Sequence, residues 1–354
     1  LVIHHDILDN FLDEILGFQS DKSVEVKKFV IGFIEAACKK DPEFFPKVII
    51  NLNMLLNESN GNVVKRAIQA ATQTYKAFLK WICKAKITDI LESTWEAWSQ
   101  IKQHIFSLLD STDNDGVRTQ CVKFMEMIVI CQTRKDQWST DGEFNIDYIT
   151  NNKLIDADNL EDEAKQVFEQ LVTYHGASHI SSVNLMATMQ TLVLIGRQRS
   201  QLFLSKVIQA LEALHANLPP TLAKSQVNSV RKQMKLQLLI ILKHPATVTM
   251  PQYQQQITQL LNDLGAGQSE INKCLQENKK RSLKSDNSAN VKRIKLEADD
   301  EEEENDFVIL PPKITRSEAN AAIEMTADDL IPRLSIIENV CDLVLVSMLS
   351  LPDT

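Results

Sequence analysis

The chain has 354 residues, 44% of them apolar, which is length for two domains or one elongated array and material for a sizeable core. Nine glycines and ten prolines are too few turn-formers for a sandwich or barrel, so the composition predicts an all-α protein with short connections. The formal charge of −9 lies mostly behind a near-neutral first 275 residues, which disfavours general DNA binding by phosphate neutralisation.

Six scattered cysteines without a CxxC pair read as buried thiols in a reducing compartment, without disulfides or zinc. No apolar run is long enough to span a bilayer and no charged-then-apolar leader opens the chain. Beginning at Leu1, the sequence reads as a fragment of a soluble protein.

From the amino terminus, one pattern recurs: an apolar helix, a polar turn, a valine followed by Lys, Arg or Asn, then a second apolar helix. It is seen at Val26-Lys27, Val64-Lys65 and Val117-Arg118, and more weakly at Val183-Asn184 and Val230-Arg231. The intervals between the second members are 38, 53, 66 and 47 residues, which bracket the spacing of HEAT and armadillo units. Neither helix of such a pair buries its apolar stripe alone, so a solenoid of about five to seven stacked pairs over residues 1–275 is expected, with an open ridge for partners. Within Val117 to Cys131, the residues Val117, Cys121, Phe124, Met125 and Ile128 share one helical face, and Thr119, Gln120, Lys123 and Glu126 the other.

The long interval holds residues 133–159, rich in Asp, Asn and Gly, which predict a loop between the third and fourth pairs. A second helical block runs from about Leu160 to Leu264, with breaks at Gly176, Leu218-Pro219-Pro220 and His244-Pro245. Residues 276–326 lack a core pattern and are expected to be a disordered linker, and 327–354 to begin a further helical region. In the linker, Lys279-Lys280-Arg281 and Lys292-Arg293-Ile294-Lys295 flank a ten-residue spacer, as in a bipartite signal for a nuclear import receptor. The acidic run from Asp299 to Glu304 reads as a solubilising tail.

Catalytic signatures are missing from the sequence: no phosphate loop, no nucleophile elbow, no HExxH and no dinucleotide-type glycine fingerprint, so no catalytic residue is assigned. The turn from Ser111 to Gly116 lacks an acidic first ligand, and Val122 stands where a calcium loop needs its bidentate Glu. His175 and His179 lack a third ligand for a metal, so neither a metal nor another cofactor is expected. Residues 197–243 carry eight Lys or Arg against the single acid Glu212, with Lys224, Arg231 and Lys235 along one helical stripe. That stripe supports an alternative reading as an RNA- or phosphopeptide-binding solenoid, although few aromatics accompany it. A transport adaptor of armadillo type is disfavoured, because Trp81, Trp95, Trp98 and Trp138 show no repeat spacing.

Several of these segments resemble the amino-terminal region of the symplekin family. They are Leu8 to Ile15, Asp21 to Ile34, Asn51 to Leu56, Leu108 to Asp110 with Asp113 to Gly116, and Leu214 to Val227, and the likeness spans roughly residues 6–310. The resemblance implies a nuclear HEAT-repeat scaffold of pre-mRNA 3′-end cleavage and polyadenylation, whose amino-terminal domain binds and stimulates a serine phosphatase of the RNA polymerase II carboxy-terminal domain. It also implies cleavage, polyadenylation-specificity and stimulation factors as further partners, and a first repeat that lacks about one helix here. In the family the phosphatase contact centres on a lysine in the helix after the Asp-Asn-Asp-Gly turn, which matches Lys123. Superposing the turns on Val26, Val64 and Val117 puts Gly32 and Ala70 at positions equivalent to Lys123. Two small residues beside one cation would admit a partner's backbone, so Gly32, Ala70, Arg118, Thr119 and Gln120 join Lys123 in the expected docking set.

Overall fold

In a computed structural model, residues 11–139, 144–149, 152, 154–248 and 250–276 are described. Ten long helices follow one another: α1 (Val24–Lys40), α2 (Phe45–Leu56), α3 (Gly61–Ile82), α4 (Asp89–Ser111), α5 (Asp115–Cys131), α6 (Ala157–His175), α7 (Ser182–Gln198), α8 (Ser200–Ala216), α9 (Lys224–Leu242) and α10 (Pro251–Asp263). Residues 11–17 and 268–276 are helical as well, so the described chain forms six consecutive helix pairs. No strand occurs among the described residues.

The recurring polar turns act as helix starts. Asn60 accepts a hydrogen bond from the Asn62 amide, Asn114 from Val117 and Ser181 from Asn184, each satisfying an amide that the first helical turn leaves open. Thr88 and Asp156 cap α4 and α6 in the same manner. Proline enters at the first turns of α2 and α10, where its missing N–H costs nothing.

The odd-numbered helices pack in series, α1 on α3, α3 on α5, α5 on α7 and α7 on α9, and form one layer. The even-numbered helices form the other, with α2 against α4 and α8 against both α6 and α10. Pairs close on each other because each helix leaves apolar surface uncovered by its own partner. The central helix α5 shows this best: beyond the five expected core residues it also buries Val122, Val129 and Cys131, since α3, α4, α6 and α7 surround it. An aromatic cluster seals the second and third pairs, with Trp98 fully buried and ring centroids at 5.0 Å from Phe78 and 5.6 Å from Tyr75.

Polar side chains also enter this core, and they come paired. The buried Lys102 donates to both carboxylate oxygens of Glu163, at 2.7 and 3.0 Å, while Gln132 donates to Glu163 at 2.9 Å and to the Tyr75 hydroxyl at 2.7 Å. Four helical elements are thus tied by one network, as a buried charge requires. Four of the five described cysteines are buried, and burial raises the Cys38 and Cys121 thiols to about 12.

Between α5 and α6, several of the described residues pack onto the core. Phe144, Ile146 and Ile155 are buried in the core and Trp138 meets His244 edge to face. Arg199, counted in sequence among a surface concentration of charge, is fully buried and holds this segment. Its guanidinium donates to the Thr133 hydroxyl, the Ser139 hydroxyl, and the carbonyls of Ile130 and Gln198. The same residue ends α7 and starts α8, a break without glycine or proline that the sequence reading runs straight through. The expected breaks at Gly176, Pro219-Pro220 and His244-Pro245 are all present.

Candidate functional site

The odd-numbered row presents one continuous side that no even-numbered helix covers. Counting from the caps Ser23, Asn60, Asn114 and Ser181 brings the four helices into register and superposes Val26, Val63, Val117 and Asn184 at the third position. The sequence reading used Val64 instead of Val63, a slip of one residue. Ala70, placed by that slip beside Lys123, is fully buried and cannot meet a partner; the true ninth positions are Gly32, Gln69, Lys123 and Gln190. Of these, Gln69 and Gln190 are exposed and Gly32 and Lys123 half-buried.

Lys123 is anchored rather than free. Its amino group donates to Glu126 at 2.8 Å and to the Thr191 hydroxyl of α7 at 3.3 Å, and Thr191 in turn donates to Glu126. A long cation is thereby held in one orientation near the centre of the row. Thr119 also bridges to α7, donating to the Asn184 side-chain oxygen at 2.8 Å, while Asn184 donates to Asp115. Gln120 lies on the same side, one turn from Lys123. Arg118 does not: at 100° per residue it projects about 140° away from Lys123. There it sits 3.7 Å from both Asp113 and Asp115, and its charge partly offsets the burial that pushes the Tyr174 phenol of α6 to about 12.

Gly32 serves its neighbour helix. A Cβ there would touch the Arg66 guanidinium at 3.4 Å, and that guanidinium forms a 2.6 Å ion pair with Glu35, tying α1 to α3. Such polar contacts stitch α1 to α3 and α5 to α7, which fixes the spacing of the surface groups at those two steps.

The thirteenth positions, which the sequence reading did not single out, carry Met127, Leu194 and Leu236 on α5, α7 and α9. Leu194 and Leu236 are 38% and 50% exposed. Counting from the caps places Met127 one turn from Lys123, and Leu194 and Leu236 at the matching positions of the next two helices of the row. An apolar ridge thus borders the Lys123 row over three successive pairs.

The basic stripe is on a flank. Arg231 stands at the eighth position from its cap, where α1, α3, α5 and α7 carry the buried Ile31, Ile68, Val122 and Met189. Lys224 and Arg231 are exposed, whereas Lys235 forms a 2.9 Å ion pair with Glu270 on the last described helix. Among the described residues no three His, Cys, Asp or Glu side chains converge as a metal site. No described helix is long and apolar enough to cross a membrane. Lys279, Lys280, Arg281, Lys292, Arg293 and Lys295 lie outside the described residues, as do the segments 277–326 and 327–354.

These features define an all-α solenoid of stacked helix pairs with an open, side-chain-rich face on one row. A family model described as Symplekin/PTA1 N-terminal matches residues 60–282, and the chain belongs to that family. Membership supports a scaffold role in 3′-end processing. Among solved structures, a crystal structure of an engineered protein from the Northeast Structural Genomics Consortium is 14% identical, with 77% of this chain and 97% of that chain covered and a TM-score of 0.39.

Proposed function

We propose that this chain is a nuclear, non-catalytic scaffold of pre-mRNA 3′-end formation, whose odd-numbered helix row docks and stimulates a serine phosphatase of the RNA polymerase II carboxy-terminal domain. The observation that carries the reading is the placement of Lys123 at the centre of that row, its ammonium oriented by Glu126 and Thr191, with Met127, Leu194 and Leu236 at matching positions of its own and the next two helices of the row. An exposed apolar ridge that a partner would desolvate, near one fixed charge, is the composition expected of a protein-binding hot spot. Thr119, Gln120, Gln69 and Gln190 supply a polar rim, while Arg118 and Ala70 drop out of the contact set.

Activation in this reading is indirect: a rigid surface orders or orients the partner's own active-site elements without offering a catalytic group. Cleavage, polyadenylation-specificity and stimulation factors use other surfaces of the solenoid. The two basic clusters in 276–326 bind the import receptor that delivers the chain to the nucleus. The domain plan is a solenoid over 1–275, a linker, and a second helical region from 327.

The test is an affinity pulldown from nuclear extract with the wild-type and Lys123→Ala chains, read by mass spectrometry. The phosphatase should be depleted with Lys123→Ala while cleavage and polyadenylation factors remain. Equal phosphatase recovery by both chains would remove Lys123 from the site.

A further inference from the structure

Along the same row, one step towards the amino terminus, α1, α3 and α5 enclose an open hollow of about 500 Å³. Its wall carries three cations, Lys28, Lys65 and Arg66, and the amides of Asn62, Gln69 and Gln120. Among the described residues no aromatic or branched aliphatic side chain lines it. Two of the cations are balanced: Lys28 pairs with Glu25 at 2.8 Å and Arg66 with Glu35 at 2.6 Å. Lys65 has no carboxylate partner among the described residues.

The setting of Lys65 is unfavourable for a bare cation. Its aliphatic stem crosses Gly116, where a Cβ would stand 3.0 Å from Cδ and 3.5 Å from Nζ. Its ammonium therefore rests against the second residue of α5, a 17-residue helix whose first-turn amides point outward with the positive end of the helix dipole. Asp115, the only acid in that turn, is already engaged by Asn184 and Arg118. A surplus ammonium, a helix amino terminus and two further cations converge on one space that holds no anion from the chain's described residues.

We propose that this hollow binds the phosphoryl group of a phosphorylated serine or threonine in an extended peptide. A phosphate monoester carries close to two negative charges at neutral pH and three acceptor oxygens, enough to engage Lys65 and the flanking Lys28 and Arg66 together. A single carboxylate leaves that donor set underused. RNA fits less well, because the hollow offers no stacking surface and only one surplus charge. The hollow shares Gln69, Thr119 and Gln120 with the rim of the proposed docking face, but Lys65, Lys28 and Gly116 lie outside that rim, so Lys65→Met tests the hollow without touching the phosphatase reading.

The experiment uses the full chain at low ionic strength, with amide spectra recorded during titration by acetylated, amidated Gly-Gly-phosphoserine-Gly-Gly and by its unphosphorylated and glutamate forms. The phosphopeptide should shift the amides of Asn62, Gln69 and Gly116, and the other two peptides should bind at least tenfold more weakly. Lys65→Met keeps the stem over Gly116 and should lower phosphopeptide affinity at least tenfold with an unchanged melting temperature; Lys28→Met should lower it less. Equal binding of the three peptides, insensitivity to Lys65→Met, or shifts confined to Lys224 and Arg231 would each overturn the assignment. So would an oligouridylate that displaces the phosphopeptide at lower concentration, which would make the hollow an RNA site. Phosphopeptide binding that emerges only after Asp299 to Glu304 are replaced by serine would make the chain's own acidic run the occupant.

Discussion

The Lys123 ammonium on α5 and the Thr191 hydroxyl on α7 lie 3.3 Å apart and share the Glu126 carboxylate. The residue proposed to hold a partner is therefore also a stitch between two repeats, and its removal has a stability consequence as well as a binding one. The lysine side chain is 39% exposed, so the ion pair contributes ~0.5–1 kcal/mol and not more. Lys123→Ala is expected to cost about that much in urea denaturation. A loss above about 2 kcal/mol would show that Lys123 is chiefly structural.

Arg199→Met should be the most destabilising single change in the region between α5 and α8. It removes four hydrogen bonds donated by a fully buried guanidinium, among them those to the Ile130 carbonyl and the Thr133 hydroxyl, while the Gln198 carbonyl keeps the Ser139 hydroxyl as a donor. A loss of ~3 kcal/mol or more is expected. Limited proteolysis should then cut first within 133–139, the segment that Arg199 holds. Wild-type resistance there would show that the buried apolar residues of the segment suffice.

The pair Lys102 and Glu163 should behave as a coupled unit. Lys102→Met leaves Glu163 with Gln132 alone and should cost ~3 kcal/mol, because an uncompensated charge stays behind. Changing both residues to Met should recover at least half of that loss, since the stranded carboxylate goes with its partner. Additive single-site losses in a double-mutant cycle would refute the coupling.

His175 gives the fold an acid sensitivity. It is buried at the end of α6 with no hydrogen-bond partner for Nε2 among the described residues, and burial lowers its pKa from 6.5 to about 4. The native state holds it neutral while the unfolded chain protonates it near 6.5, so stability falls as pH drops below 6.5 and levels off near 4. The contribution at pH 5.5 is a loss of ~1.4 kcal/mol relative to pH 7.5. His175→Leu should abolish that part of the pH dependence when the two proteins are compared by denaturation at both values. Parallel pH profiles would show that the carboxylates alone set the acid response.

The repeat architecture was legible because its punctuation is local. Asn60, Asn114 and Ser181 cap helices through their own side chains, and proline and glycine mark most of the connections. What escaped was fixed by tertiary surroundings. Two adjacent valines at 63 and 64 made the register ambiguous by one residue, which moved Ala70 from core to surface in the reading. Arg199 looked like a surface charge because the hydroxyls and carbonyls that receive it, at Ile130, Thr133 and Ser139, are about 60 to 69 residues earlier in the chain. Leu194 and Leu236 were not singled out because which side of a helix a neighbouring repeat leaves bare is set by packing and not by the helix's own residues. The hollow near Lys65 arises from three helices at once, and no single segment carries its pattern.

Titration calorimetry of the full chain with a purified serine phosphatase of the RNA polymerase II carboxy-terminal domain tests the docking face most directly. Leu194→Asp, which places a charge on the bare ridge beside Lys123, should weaken binding at least tenfold, and Arg231→Asp on the flank should leave it within twofold. The reverse order, or tight binding by both variants, would contradict docking on the odd-numbered row.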